Sequence, residues 1–454
     1  MPAEATIASN PTLFQERYEA GVESALSTFT TVWGTAKEST SPFTGKRINF
    51  SVLRRRPQAF SQSVSAMTIP DASSSLNAEG SAYPTVAFIT LVLDWTAQDL
   101  SQGDGAYIDL VSNNLGPATE GFVQAMERQS LGAGTGQLGT VFGGAGATAI
   151  PAAGFALVFD VAGVDSQVFF EEGQRIEFMS SLTATTKKSG PSPTRPYYEV
   201  ASVNVVSASD KIIVTCTSDS VVPSATPPAH NDVIVASGAV NLQDGPGPTN
   251  TTNELYGLDI LIDDGNATFQ TKTPHAYPTT PGFLGIDSAN SWWQAKTVPG
   301  NGRYLDLDLC HNVLDQIHNH GGGGGVADVN KVVTNAFQLR KHLLSLYPGE
   351  RYANEGAAGK FQSGSAWLND HRYGPKIGMM DSLKARFCPR SKAFFYGSQI
   401  EKHTTKKMHF YNRDGSIVRM AAGRPADMYN MYGMYQLLIK RRNGTGKVEN
   451  LLTA

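Results

Sequence analysis

GKRINFSVLRRR at residues 45–56 and TVAFITLVLDW at 85–95 frame the organisation of this chain. In the first, Ile48, Phe50 and Val52 alternate with polar neighbours. In the second, Val86, Phe88, Thr90 and Val92 alternate with Ala87, Ile89, Leu91 and Leu93. Both have the period-2 pattern and the β-branched and aromatic content of strands. Between them, from Gln58 to Ala82, runs a long segment of small and polar residues that includes Ser73-Ser74-Ser75. The expected product is a long two-stranded arm whose tip has no core of its own. Compact domains seldom carry such a feature without a use for it, and a projecting arm wants a partner surface. Arg54-Arg55-Arg56 puts three charges on its outer strand.

Upstream, residues 11–33 have helical spacing: Phe14, Tyr18, Val22, Leu26 and Phe29, with Trp33 at the end, behind Asn10 as cap and Pro11 in the first turn. This segment reads equally as a core helix or as an arm that packs on a neighbour. Downstream, Ile108, Val111, Leu115, Phe122, Val123 and Met126 give residues 104–131 an apolar helical stripe. Gly116-Pro117 is expected to kink that helix or divide it, and the glycines from Gly132 to Gly139 to end it. Between about 155 and 240, short strands at 155–159, 174–178, 198–206, 211–217 and 232–235 predict a small barrel or sandwich, with Val221–Pro228 a loop. After a Gly- and Thr-rich linker at 244–252 the pattern is mixed. Residues 305–319 and 328–346 read as helices around the five glycines 321–325, and from 385 onward short strands alternate with turns.

Composition narrows the function classes. The chain has 454 residues, 41% hydrophobic and only 17% charged, so much of its surface is expected to be covered by something other than solvent. A net charge of −3 does not demand a nucleic-acid partner. Cys216, Cys310 and Cys388 are odd in number and form no CxxC pair, which predicts no disulfide framework and a reducing compartment. Neither a signal peptide nor an apolar run long enough to span a bilayer is read, so the expected environment is cytoplasm-like, without a membrane partner.

Candidate chemistry is sparse. Cys310, His311, His318 and His320 are zinc-type ligands, but no second CxxC or HxxxH accompanies them, and a chance cluster at a helix end is expected. The run 321–325 lacks the Gly-Lys-Ser/Thr of a phosphate loop, and there is no GxSxG or HExxH. Asp263-Asp264 and Glu171-Glu172 fall at turns and are expected to be solvated. The basic stretch from Arg372 to Arg442, with Lys406-Lys407 and Lys440-Arg441-Arg442, suits either phosphate contacts or a set of intersubunit salt bridges and solvated faces. Its aromatics do not interleave as stacking platforms, which favours the second. No catalytic residue, metal or cofactor is assigned, and a non-enzymatic protein is expected.

The order of parts resembles the major capsid proteins of tailed bacteriophages with the Hong Kong 97-type fold. Glu127-Arg128-Gln129-Ser130-Leu131-Gly132-Ala133-Gly134 is similar to that family's basic, Gln, Leu and Gly-rich ending of the spine helix. Phe170–Ile176 with Asn231–Val235 is similar to its β insertion, and Leu255-Tyr256-Gly257-Leu258, Ile262–Gly265 and Trp292–Ala295 to its entry into the axial domain. The resemblance spans nearly the whole chain and rests on order and several weak local matches.

It implies an α+β fold with an N-terminal arm at 1–44, an extended loop at 45–97, a peripheral domain with its spine helix at 98–152, and a β-barrel-like insertion at 153–245. An axial domain at 246–400 and C-terminal strands at 401–454 that return to the peripheral domain complete it. The implied function is self-assembly, through hexamers and pentamers, into an icosahedral shell around packaged double-stranded DNA. Assembly would occur in the host bacterial cytoplasm, with residence in the virion. Arg54, Arg55 and Arg56 would meet acidic groups on a neighbour. Because the extended loop begins at Gly45, with no long scaffolding region read before it, a separate scaffolding protein is implied. A portal and a decoration protein are further partners, and the packaged DNA is a non-specific neighbour. The family's Lys–Asn cross-link has no assigned residues here. Rival readings are a tail or decoration component and, further off, a metal-dependent hydrolase using His311, His318 and His320.

Overall fold

The structure, a computed structural model, describes residues 31–39, 48–56, 74–94, 104–142, 157–161, 169–181, 197–206, 211–217, 228, 231–241, 251–252, 254–264, 284, 286, 290–320, 329–353, 381–410, 418–420 and 426–453. Residues 11–30 of the helix expected at 11–33, the arm tip at 57–73, most of the loop 221–228 and of the linker 244–252, and the glycine run 321–325 lie outside the described residues.

A short helix α1 (Val32–Thr35) buries Val32 and Trp33 and leads into β1 (Lys37–Glu38). Next, β2 (Ile48–Arg55) pairs antiparallel with β3 (Leu76–Ala82), from Ile48 opposite Ala82 to Arg55 opposite Leu76. These two strands make a sheet of their own. The expected partner of the first stretch was the second, residues 86–93, and this is corrected. The partner is Leu-Asn-Ala-Glu-Gly-Ser-Ala, a sequence of poor strand propensity, because the Phe50 ring lies over Gly80 where a Cβ would collide with it. The second stretch forms β4 (Thr85–Asp94) and pairs elsewhere.

The helix α2 (Asp104–Leu131) is one element of 28 residues and is not divided at Gly116-Pro117. A proline removes one rung of the ladder, and the rungs before and after it keep the helix whole. Its last turns bury Phe122, Val123, Met126 and Leu131, and the Gly132 N–H closes the end by donating to the carbonyls of Arg128 and Gln129.

Six strands follow: β5 (Gln137–Phe142), β6 (Leu157–Val161), β7 (Arg175–Met179), β8 (Tyr198–Val206), β9 (Lys211–Thr217) and β10 (Val233–Ala236). They close into a barrel in the order β10-β5-β6-β9-β8-β7. Closure settles the choice between barrel and sandwich and leaves no unpaired edge. The strand missed in the sequence is β5, which begins inside the glycine run that was expected only to end the helix. Leu138, Phe170, Ile176, Phe178, Tyr198, Val200 and Ile234 fill the barrel core.

A small hairpin of β11 (Val240–Asn241) and β12 (Thr251–Thr252) leads to the buried turn of helix α3 (Leu258–Leu261). Then come β13 (Lys296–Pro299), α4 (Leu307–His320), β14 (Val329–Thr334), α5 (Ala336–Ala353), β15 (Asp381–Lys384), β16 (Ala393–Gly397), β17 (Ile400–Phe410), β18 (Val418–Met420), β19 (Ala426–Ile439) and β20 (Gly446–Glu449). One mixed sheet has the order β13-β20-β16-β14-β15. In the other, β19 carries β17 and β18 on one side and β4 on the other, with β1 beyond β17.

Two expectations fail here. Residues 329–334 are a strand, not the start of a helix: Val329, Val332, Val333 and Thr334 are β-branched, and the helix begins only where Asn335 Oδ1 accepts the Phe337 N–H at 3.0 Å. The C-terminal strands are not all short, since β17 and β19 have 11 and 14 residues.

Candidate functional site

The end of α2 meets the segment 254–258 at a tight junction. Arg128 forms an ion pair with Glu254, and the Leu255 N–H donates to Gln129 Oε1 at 3.3 Å. The Tyr256 N–H donates to Gln436 Oε1 at 3.0 Å, while Gln436 Nε2 donates to the Tyr83 carbonyl at 2.8 Å. A Cβ on Gly257 would collide with the backbone carbonyl oxygens of Gly132 and Gln129. The Arg-Gln and Leu-Tyr-Gly-Leu stretches noted in the sequence are therefore the two halves of one contact.

Beside it lies a buried ion cluster. Lys447, fully buried, places Nζ 2.9 Å from Asp263, 3.5 Å from Asp259 and 2.6 Å from Glu449. Lys392 donates to both oxygens of Asp259 at 2.7 and 2.8 Å. Arg442 donates to the carbonyls of Leu261 and Ile260, each at 3.0 Å, with Asp263 at 3.8 Å. Burial alone pushes Asp259 up, but Lys392 and Lys447 outweigh it and hold the carboxyl below its ordinary range. Burial likewise pulls Lys447 down, and Asp259, Asp263 and Glu449 outweigh it, so its ammonium is held above the usual lysine range. Burial brings Arg442 down to about 10 against the pull of Asp263 and Asp264. Asp263 was expected to be solvated and Arg442 to serve a solvated or intersubunit face. Both are corrected: the cluster balances charges within the chain and ties β20 to α3.

The opposite character appears on the hairpin. From Leu53 outward β2 is exposed, and Leu53 and Leu76 are 54% and 41% exposed. Arg54, Arg55 and Arg56 line a cleft of about 470 Å³ with Val52, Leu53, Trp292, Trp293, Lys440 and Arg441. The Arg54 guanidinium lies 5.9 Å from the centroid of the Trp292 ring, and Phe50 stacks on Trp293 at 6.4 Å. Sequence reading singled out the arginines and the Trp pair separately; only the fold brings them together. Among the described residues β4 is bonded on one side only, to β19, and it exposes Val86 (38%) and Phe88 (67%) while Ala87 and Ile89 pack on the core.

The zinc-type residues do not gather. Cys310 lies in the core between the mixed sheet and α4, where burial pushes its thiol up. His318 and His320 are exposed, and among the described residues no three His, Cys, Asp or Glu side chains are arranged to hold a metal. Glu171 and Glu172 are exposed as expected. No described helix is long and apolar enough to cross a membrane.

No family model matches the chain, and no curated protein does. Among solved structures it is similar to the capsid asymmetric unit of cyanophage A-1(L), with a TM-score of 0.45 and 9% identity over 92% of this chain and 90% of that one. It is also similar to the capsid of a native GTA particle (TM-score 0.39, 9% identity, 91% and 88% covered). A third likeness is to a structure from Mycobacterium phage Bobi (TM-score 0.39, 10% identity, 94% and 91% covered). Identities of this size assign no role to any residue of this chain.

Proposed function

We propose that this chain is the major capsid protein of a tailed double-stranded-DNA bacteriophage, a subunit that self-assembles into the icosahedral shell enclosing the genome. The observation that carries this reading is a pair of strands, β2 and β3, that among the described residues joins no wider sheet, together with a ten-residue strand that among the described residues is bonded on one side only and has Phe88 on its exposed face. An unpaired strand edge and exposed apolar side chains on an otherwise well-packed body are surfaces made for another chain. Repeated by symmetry, several contacts of modest strength hold a closed shell without any one strong interface.

In this reading residues 1–44 are an arm, 45–97 reach over a neighbouring copy, and 98–152 with 401–454 form the peripheral part. Residues 153–245 are the insertion, and 246–400 build hexamers and pentamers. Arg54, Arg55 and Arg56 contact the neighbour. A separate scaffolding protein, a portal and a decoration protein are the expected partners, the host bacterial cytoplasm is the place of assembly, and no catalytic role is assigned.

Electron microscopy of the purified protein tests the reading: closed icosahedral particles are expected. Replacing residues 57–73 by a short turn keeps β2 and β3 and is expected to give a folded subunit without closed shells. Normal shells from that variant would sink the proposed role of the arm, and tubes or isolated trimers from the native chain would sink the shell itself.

A further inference from the structure

The cleft at the root of the hairpin has a charge pattern that asks for an occupant. Five basic side chains line it, Arg54, Arg55, Arg56, Lys440 and Arg441, with no acidic residue among the described lining. Lys440 reaches Glu401 at 2.7 Å, outside that lining. The whole chain nevertheless has a net charge of −3, so the residues outside this cleft are net acidic taken together.

The nature of the cleft favours a protein occupant over nucleic acid. Exposed Leu53 and Leu76 flank the arginines on the paired strands, and Trp292 forms one wall. Phosphates do not cover aliphatic side chains, whereas a peptide segment covers them and presents a carboxylate to a guanidinium in the same step. Arg54, held over the Trp292 ring, keeps its fork available for that bidentate contact.

The described surface offers a matching segment. Glu171 and Glu172 are adjacent and exposed on a turn in which the Gln174 N–H donates to the Glu171 carbonyl at 3.2 Å and Gly173 takes a positive φ of 80°. The turn directly precedes β7 and carries two carboxylates at consecutive positions. Within its own chain the Glu171 carboxylate accepts from the Gln124 amide at 2.6 and 3.1 Å. The cation Arg386 stands at 4.0 Å, with both side chains about half exposed, so among the described residues the carboxylate's charge is left without a close ion pair. We propose that the Glu171-Glu172 turn of a second copy of this chain seats in the cleft lined by Arg54, Arg55 and Arg56. This rests on the self-assembly proposed above and names the pair of surfaces that sets its register.

A charge swap tests it on the full-length chain. One variant carries Arg54→Glu and Arg55→Glu, the other Glu171→Arg and Glu172→Arg. All four side chains are exposed, and circular dichroism and thermal melting are expected to match the native protein. Alone, each variant is expected to raise the concentration needed for assembly by about tenfold or more, an effect of the size of one lost charge pair between subunits. Mixed in equal amounts, the two are expected to recover assembly, measured by light scattering and analytical ultracentrifugation. Native assembly by the arginine variant overturns the inference. So does a mixture no better than either variant alone. Loss of binding to a short DNA duplex in the arginine variant, with assembly unchanged, would instead assign the cleft to nucleic acid and also overturns it. If the native chain forms only small oligomers that show the same swap pattern, the shell reading falls while this pairing stands. Native-like shells from the arginine variant leave the shell reading standing without the pairing.

Discussion

Lys440-Arg441-Arg442 is one run of basic residues, yet it serves two regions of opposite physical character. Lys440 and Arg441 line the open cleft under the hairpin, while Arg442 is 2% exposed and donates to the carbonyls of Ile260 and Leu261. The interior region neutralises its charges inside the chain. The hairpin region leaves its charges, and the apolar side chains beside them, on the surface. A buried charge is tolerated only when paired and hydrogen-bonded, so the first region must be complete before any partner arrives. In the second, Ile48 and Ala82 at the root belong to the core, and only the outer part from Leu53 onward is exposed.

The sharpest way to break this contrast is to remove a partner in the interior. Lys447→Met would leave Asp263 and Glu449 without their closest cation, and a loss of about 3–5 kcal/mol is expected in a denaturant titration of the isolated subunit. An unchanged midpoint would show that the cluster is not a structural lock. Gly257→Ala comes next: the methyl group meets the carbonyls of Gly132 and Gln129, and overpacking of this kind costs about 1–3 kcal/mol. The melting temperature checks it.

Acid probes the same cluster without mutation. The folded pKa of Asp259 lies below its unfolded value, so its contribution is complete above the ordinary carboxylate range and is lost as pH falls through the depressed value. Lys447 has the opposite sign: its contribution is complete below the ordinary lysine range and fades only as pH rises beyond it. Stability is thus expected to hold across neutral pH and to fall on acidification. Asp259→Asn should flatten that acid limb, and denaturant midpoints against pH read the difference.

The smallest effect on stability belongs to the surface region. Phe88 is 67% exposed and stacks only at 5.9 Å on Tyr432, so Phe88→Asp is expected to change subunit stability by about 0.5 kcal/mol or less. Its effect on assembly is expected to be large, because a charge would sit where an apolar contact between copies is proposed. Sedimentation of the variant beside the native chain separates the two quantities; a variant that assembles normally removes β4 from the contact surfaces.

Local pattern carried much of this into the sequence. Alternation and β-branched content placed strands at 48–52, 86–93, 198–206 and 211–217, and helical spacing placed the long helix 104–131, because these periods are properties of the backbone itself. Arg54, Arg55 and Arg56 were legible as an unusual exposed charge. Pairing was not legible. Strand 76–82 has weak propensity and exists because β2 lies beside it and Phe50 covers Gly80. For residues 329–334, the helical reading failed because neighbours β15 and β16, far along the chain, supply the ladder. Nor does any local signal tell a solvated Asp263 from one facing Lys447 across 184 positions. The sequence by itself determined where the chain is periodic, where it turns and where charge accumulates. The tertiary structure alone decided which strands meet, which carboxylates and cations are buried together, and which basic residues remain outside. Those outcomes depend on contacts between distant segments, whose free energy exceeds any local preference.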